Sequence, residues 1–248
     1  MILLKQLSKT FSAGTVNETK AVQQISLSIP AGDFVVIVGS NGSGKSTLLN
    51  IIAGTVTADE GEIFFNDQPV GHLQEHQRSK WIARVFQNPL AGTAPDLTVI
   101  DNFRLAALRT KRKTLKTGTD KKFRELVKER ISMLSLGLEN KTEQLMGSLS
   151  GGQRQALTLI MAVMDEAAIL LMDEPTAALD PRTSELLMQQ AAKVIAGFNL
   201  TTVLVTHQLR DAHAYGNRII QMQEGKIARD LDAAMKKKLA LNEIFTWF

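Results

Sequence analysis

Gly39-Ser40-Asn41-Gly42-Ser43-Gly44-Lys45-Ser46-Thr47 matches the phosphate-binding pattern G-x-x-x-x-G-K-[ST], with three glycines in its first six positions. Upstream, Asp33-Phe34-Val35-Val36-Ile37-Val38 is a short apolar, β-branched run that reads as a buried parallel strand. Downstream, Leu48-Leu49-Asn50-Ile51-Ile52-Ala53 has a helical pattern closed by Gly54. Strand, glycine-rich turn and helix are the context the pattern needs. The glycines let backbone N–H groups turn inward around phosphate oxygens, and the helix N-terminus adds its positive end. Lys45 is expected to reach the β- and γ-phosphates, and the Ser46 hydroxyl to sit on Mg²⁺. By ordinary residue frequencies the bare pattern arises by accident in about one chain in a hundred of this length, and the flanks lower that further. The chain therefore reads as a binder of a nucleoside triphosphate.

A second apolar run, Ala168-Ile169-Leu170-Leu171-Met172, ends abruptly in Asp173-Glu174-Pro175. A buried strand that delivers carboxylates at its C-terminal end does so where an α/β fold places its ligand. Hydrolysis requires one acid beside Mg²⁺ and another to orient or deprotonate water. Asp173 is assigned to the metal and Glu174 to the attacking water. Two acids capping the next helix would be a reasonable reading in isolation, but less so beside a phosphate loop.

Leu149-Ser150-Gly151-Gly152-Gln153 precedes a helical stretch in which Leu157, Ile160, Met161 and Met164 share one face. Ser-Gly-Gly before a helix offers a second anion-binding terminus. An N-cap by Ser150 accounts for the serine but leaves the paired glycines and the glutamine unexplained.

Composition bounds the rest. The 248 residues are 44% hydrophobic, enough for one large α/β domain or a core with an inserted subdomain. The apolar run from Ala167 to Met172 is six residues, far short of a membrane span. Met1-Ile2-Leu3-Leu4-Lys5 lacks the layout of a signal peptide. With no cysteine, disulfides and thiolate metal sites are excluded. The net charge of +4 is mild, and one Tyr and two Trp are too few for a basic stripe with interleaved aromatics, so no nucleic acid is expected as partner.

From Ile2 to about Pro30 the pattern alternates like strands around polar turns, which predicts a small antiparallel layer. Phe11 is either a stacking face for a purine or an ordinary core aromatic. Glu62-Ile63-Phe64-Phe65 before Asn66-Asp67 predicts a strand entering a turn, and Ile82-Ala83-Arg84-Val85-Phe86 a further short strand. Pro89, Gly92 and Pro95 make a loop and hinge of residues 88–96. Residues 97–164 read as helical, interrupted at 109–122 by seven Lys/Arg opposed only by Asp120. That segment is a solvated connection or, less favoured, a contact for lipid head groups or an acidic partner. The apolar tail from Leu239 to Phe248 is expected to pack back on the core or to help hold a partner.

Taken in order, the loop at Gly39, the pentapeptide at Leu149 and the pair Asp173-Glu174 resemble the ATP-binding subunit of ABC transporters. The resemblance runs from about Leu3 to Lys226. Gln87 then matches the hinge glutamine, Ala178-Leu179-Asp180 the loop after the acid pair, and His207 the switch histidine. Phe11 falls only approximately at a position where the family usually has an adenine-stacking tyrosine.

The resemblance implies a P-loop NTPase fold: an ABC-type α/β ATPase core with a small antiparallel β layer and an inserted α-helical subdomain. The core would be residues 1–87 and 165–248, and the subdomain 88–164. It implies ATP and Mg²⁺ as cofactors, with Ser46, Gln87 and Asp173 around the metal and Lys45, Gln87, Glu174 and His207 in catalysis. It further implies a second ATPase subunit, expected to be identical, closing face to face over two ATP molecules. Residues 39–47 and Phe11 would come from one subunit; Ser150, Gly151, Gly152, Gln153 and Asp180 would act across the interface. Transmembrane permease subunits are the implied partners, meeting the Gln87 loop and the helical insert at the cytoplasmic face of the membrane.

Import is favoured over export, with a solute-binding protein as indirect partner. Residues 85–97 are similar to a subgroup of bacterial importer ATPases linked with solute-binding proteins for aromatic amino acids such as tryptophan or tyrosine. The alternative is a non-transport relative acting on ribosomes or DNA. One cassette, no long heptad run and no aromatic-basic stripe weigh against it.

Overall fold

The apolar run at Phe34 lies in the middle of a sheet. In the computed structural model, which describes residues 1–109, 118–165 and 167–247, the strand β3 (Phe34–Val38) has all five residues buried. It pairs in parallel with β8 (Thr201–Val205) on one side and β9 (Arg218–Gln223) on the other. Next to β8 lies β7 (Ile169–Asp173), then β6 (Ile82–Val85), both parallel. At the far edge β10 (Lys226–Leu231) returns antiparallel to β9. Strands buried on both faces are predominantly apolar, which is why β3 and β7 show no alternation.

The alternating N-terminal residues form the expected antiparallel layer, ordered β2-β1-β4-β5. Its strands are β1 (Ile2–Phe11), β2 (Thr19–Ile29), β4 (Glu60–Phe65) and the short β5 (Gln68–Pro69). The β4–β5 turn uses Asn66 and Asp67 at φ 46° and 65°, the left-handed pair a tight hairpin requires. Between the two sheets runs α1 (Lys45–Ala53), whose Leu48, Leu49, Ile51 and Ile52 are fully buried among residues of both. The phosphate loop is thus held between two layers.

On the other face of the parallel sheet pack α3 (Val99–Ala107), α4 (Lys121–Ser132), α5 (Gly151–Ala162) and α6 (Pro181–Gly197). Among the described residues, α3, α4 and α5 give this part of the chain the helical character expected, with 3₁₀ turns at Leu138–Lys141 and Met146–Ser148. Of the basic segment, residues 110–117 lie outside the described residues. Arg109 departs from a solvated connection: its guanidinium turns inward to donate to the carbonyls of Ile82 (3.4 Å) and Ala162 (3.3 Å). Burial pulls its pKa down against the opposing pull of Asp165.

One buried cation fixes the far end of α1. Arg78, the last residue of α2 (Glu75–Arg78), is 2% exposed. It donates to the carbonyls of Ile51 (2.7 Å), Ile52 (2.9 Å), Leu73 (2.9 Å) and Gly71 (3.1 Å). The last carbonyls of a helix have no partner in the helix, and a cation there meets the negative end of its dipole. Burial pushes the guanidinium down to about 10. Arg78→Met keeps the volume and removes the donors, leaving buried carbonyls unpaired. It is expected to cost about 2–4 kcal/mol, roughly 5–15 °C in Tm, with ATP affinity retained in the folded fraction. A melting curve within a degree or two of wild type would refute this capping role.

The apolar tail packs back on the core through α8 (Ala233–Lys238) and α9 (Leu241–Phe245), next to α7 (Leu209–Ala214). Ile244 is fully buried, Gln221 donates to the Trp247 carbonyl at 2.8 Å, and the Arg229 guanidinium stacks 4.9 Å from the Trp247 ring centroid. Lys236 donates to the carbonyls of Tyr215 and Gly216 at the end of α7. Burial drives its ammonium down from 10.5 to about 8. The folded state then holds fewer protons than the unfolded one between those values, so this group adds stability as pH rises through that window and loses it as pH falls. Lys236→Met lacks this gain. From about pH 8 to about pH 10 the wild-type Tm should move upward relative to the variant, and a constant difference would contradict the assignment.

Candidate nucleotide site

The strand register brings the predicted residues to one edge. Ile37 pairs with Val205 and Val205 with Asp173, while Val85 pairs with Met172. The chain therefore leaves β3 into the phosphate loop, β7 into Glu174, β8 towards His207 and β6 towards Gln87, all at the C-terminal ends of parallel strands. That edge is where an open α/β sheet binds its ligand.

Within the loop, Gly44 has φ 98°, and a Cβ there would lie 2.1 Å from the Ala21 carbonyl oxygen of β2. No other residue fits. Gly44 is also the N-cap of α1 and makes no side-chain cap, so the first-turn N–H groups are open to an anion. Lys45 is 5% exposed and folded into the loop, its Nζ 2.8 Å from the Gly39 carbonyl, 2.9 Å from that of Ser40 and 3.5 Å from Ser43 Oγ. Burial lowers its pKa, and Glu174 and then Asp173 oppose that.

The acids face this lysine from β7. Ser46 Oγ donates to Asp173 Oδ1 at 3.2 Å. Burial pushes the Asp173 carboxyl up against the Ser46 bond, and the Glu174 charge pushes it further. Glu174 adopts φ 44°, a left-handed conformation unusual for a glutamate, and its N–H donates to the Val205 carbonyl at 2.9 Å. Such strain clusters at working sites. Glu174 Oε2 lies 3.1 Å from His207 Nδ1. Gly39, Ser40, Asn41, Glu174 and His207 line a cleft of about 530 Å³, together with Leu209 and Phe245. Phe245 was missed as a site residue: its only signal was an apolar tail, which core packing already explains.

Other predicted residues lie apart. Ser150, Gly151, Gly152, Gln153 and Asp180 do not line this cleft. Ser150 is the N-cap of α5, its Oγ accepting from the Gln153 N–H at 3.3 Å while Gln153 Oε1 accepts from the Ser150 N–H at 3.2 Å. This reciprocal box corrects the sequence reading, because capping accounts for the glutamine as well as the serine. A Cβ on Gly152 would lie 2.3 Å from Thr183 Cγ2, so close packing on α6 accounts for that glycine too. Gly151 has no such reason, its Cβ position meeting only ordinary contacts. Asp180 caps α6, accepting from the N–H groups of Arg182 and Thr183 at 3.1 Å, and its bonds to Thr183 hold its carboxyl below the usual range. Ser150 and Asp180 thus sit exposed on two helix N-termini that pack side by side.

Gln87 is exposed just past β6. Phe11 is 40% exposed at the end of β1, which removes the core-aromatic alternative. It pairs with Thr19, two residues before the Ala21 that abuts Gly44, so Phe11 lies one strand away from the loop.

A phosphate loop between two sheets, with paired acids at the end of the next strand but one, defines a P-loop nucleotide hydrolase. The sequence profile of the ABC transporter family matches residues 22–177, and the chain belongs to that family. A tyrosine transport ATP-binding protein of Clostridioides difficile (strain R20291) is 38% identical over all of this chain and 98% of its own length. The aliphatic sulfonates import ATP-binding protein SsuB of Escherichia coli (strain K12) is 32% identical over 98% of this chain and 85% of its own. Among solved structures, the dimeric ATP-binding cassette MJ0796 in a post-hydrolysis state with ADP and Pi is similar at a TM-score of 0.79 and 33% identity. That match covers 94% of this chain and 99% of the other. ATP binding and hydrolysis are the chemistry of this cassette.

Proposed function

We propose that the chain energises import of a solute, an aromatic amino acid, through a separate transmembrane permease. It would work as one of two identical cassettes at the cytoplasmic face of the membrane. The observation that carries the ATPase part is the meeting of Lys45, Ser46, Asp173, Glu174 and His207 at one sheet edge. The solute class is supported by the end-to-end similarity to a tyrosine transport subunit. Among the described residues no helix is long and apolar enough to cross a membrane.

In this reading the open N-terminus of α1 and Lys45 hold the β- and γ-phosphates. Ser46 and Asp173 would hold Mg²⁺, with Gln87 joining them from the β6 loop. The donor set fits that ion. Among the described residues no cluster of three His, Asp or Glu forms a protein-only cage, whereas Mg²⁺ prefers one or two protein oxygens plus phosphate and water. The half-buried Asp173 carboxyl also gains a counter-charge. When bound, Mg²⁺ neutralises phosphate charge. Glu174 takes the proton of the attacking water, and His207, beside it, orients on the γ-phosphate. Ser150, Gly151, Gly152 and Asp180 face the nucleotide of the second cassette, and Phe11 stacks on the adenine. Residues 88–164 form the subdomain that meets the permease.

The test is mass spectrometry of proteins that co-purify with tagged Glu174→Gln from detergent-solubilised membranes with ATP and Mg²⁺. A multi-span permease is expected, with a solute-binding protein that tyrosine or tryptophan stabilises against heat. Ribosomal or DNA-processing proteins without any membrane protein would overturn transport. A solute-binding protein stabilised only by sulfonates would overturn the solute class.

A further inference from the structure

Phe86, the residue immediately before Gln87, is held from two sides. On the core side its ring lies 4.6 Å from the Arg84 guanidinium. Arg84 is itself fixed near the end of α1, donating to Asn50 Oδ1 at 2.8 Å and Thr55 Oγ1 at 2.9 Å. On the helical side, Gln155 Nε2 of α5 donates to the Phe86 carbonyl at 2.6 Å. Gln155 is 1% exposed, so water cannot stand in for this bond without opening the interface. The Phe86 ring therefore belongs to the sheet while its carbonyl belongs to α5, and the next side chain along is Gln87. Gln155 lies five residues beyond the N-cap Ser150, about 7–8 Å along the same rigid helix.

We infer that Gln155 is a positioning residue: through the Phe86 carbonyl it sets where Gln87 stands past the end of β6 and ties that position to the Ser150 end of α5. The inference rests on the reading of Gln87 as a residue that meets nucleotide or metal. A rival account needs no function, since a buried glutamine that satisfies a buried carbonyl is ordinary. The two accounts differ in what happens when Gln87 is already gone.

The experiment is a double-mutant cycle on the full-length chain, with kcat and KM for ATP measured separately. Gln155→Leu and Gln155→Met differ in shape and share only the loss of the donor. Both are expected to lower kcat about tenfold, as one lost neutral hydrogen bond would, with KM within about twofold. In the Gln87→Ala background the same substitutions should lower kcat no further, because a residue acting through Gln87 has nothing left to position. Losses that multiply in the double variants would overturn the inference and leave Gln155 a packing residue. An unchanged kcat in both single variants, or a rise in KM alone, would overturn it as well. If Gln87→Ala itself leaves kcat at the wild-type level, the reading of Gln87 fails first and the inference falls with it.

Discussion

Glu174→Gln binds ATP as wild type does and turns it over about 10²–10⁴-fold more slowly, the range expected when a positioned general base is removed. The substitution is nearly isosteric, and a glutamine side chain imposes no more strain at φ 44° than the glutamate already bears. An amide can keep a hydrogen bond with His207 across the 3.1 Å gap, so the cleft retains its shape. What it cannot do is accept the proton of the attacking water. Loss of the carboxylate also removes a charge that supports the protonated form of Lys45, but Asp173 continues to do so. ATP should therefore stay bound and hold two cassettes together. Size-exclusion chromatography with quantitation of the retained nucleotide would report a dimer carrying unhydrolysed ATP. Turnover near the wild-type rate would remove Glu174 from its assigned role.

The residues that make this variant predictable were legible because each is announced locally. The phosphate loop needs glycines at fixed offsets, and β3 and β7 needed only an unbroken apolar run to be read as buried parallel strands. The acids end such a run abruptly. Legibility stops where burial is decided by distant chain. Arg78 ends the polar stretch Gln74-Glu75-His76-Gln77-Arg78, where nothing signals that it will be enclosed by carbonyls of α1 and of Gly71 and Leu73. Phe245 joins the cleft only because α9 docks beside α7. Nothing in the sequence sets Gln155 apart from the polar residues before it, yet it is almost wholly buried against the Phe86 carbonyl. Capping failed in the opposite direction. Gln153 bonds to the Ser150 N–H, a capping role missing from the sequence reading, and Gly151 is the residue of that motif without a structural reason.

The second large effect is expected for Ser150→Arg, beside Gly151 at the same helix terminus. Ser150 is exposed and lies outside the cleft of its own chain, so a direct effect on ATP held by residues 39–47 is not expected. Losing the cap costs about 1 kcal/mol, and a cation at the helix N-terminus adds about 0.3–1 kcal/mol, too little to unfold a domain of this size. ATP affinity measured on the monomer should stay within about twofold of wild type. If the α5 terminus faces the γ-phosphate of a second cassette, however, the long guanidinium stem fills that space and removes the hydroxyl donor. Turnover should then fall by at least about 10²–10³-fold, as for loss of a transition-state donor. Mixing separates a shared site from a local one. In a pair formed by one Ser150→Arg chain and one Glu174→Gln chain, one composite site keeps Glu174 from the first and Ser150 from the second. Two inactive variants should together regain ATPase activity, which neither can do if each chain hydrolyses ATP alone. Wild-type turnover in Ser150→Arg would mean that this helix terminus never reaches the nucleotide.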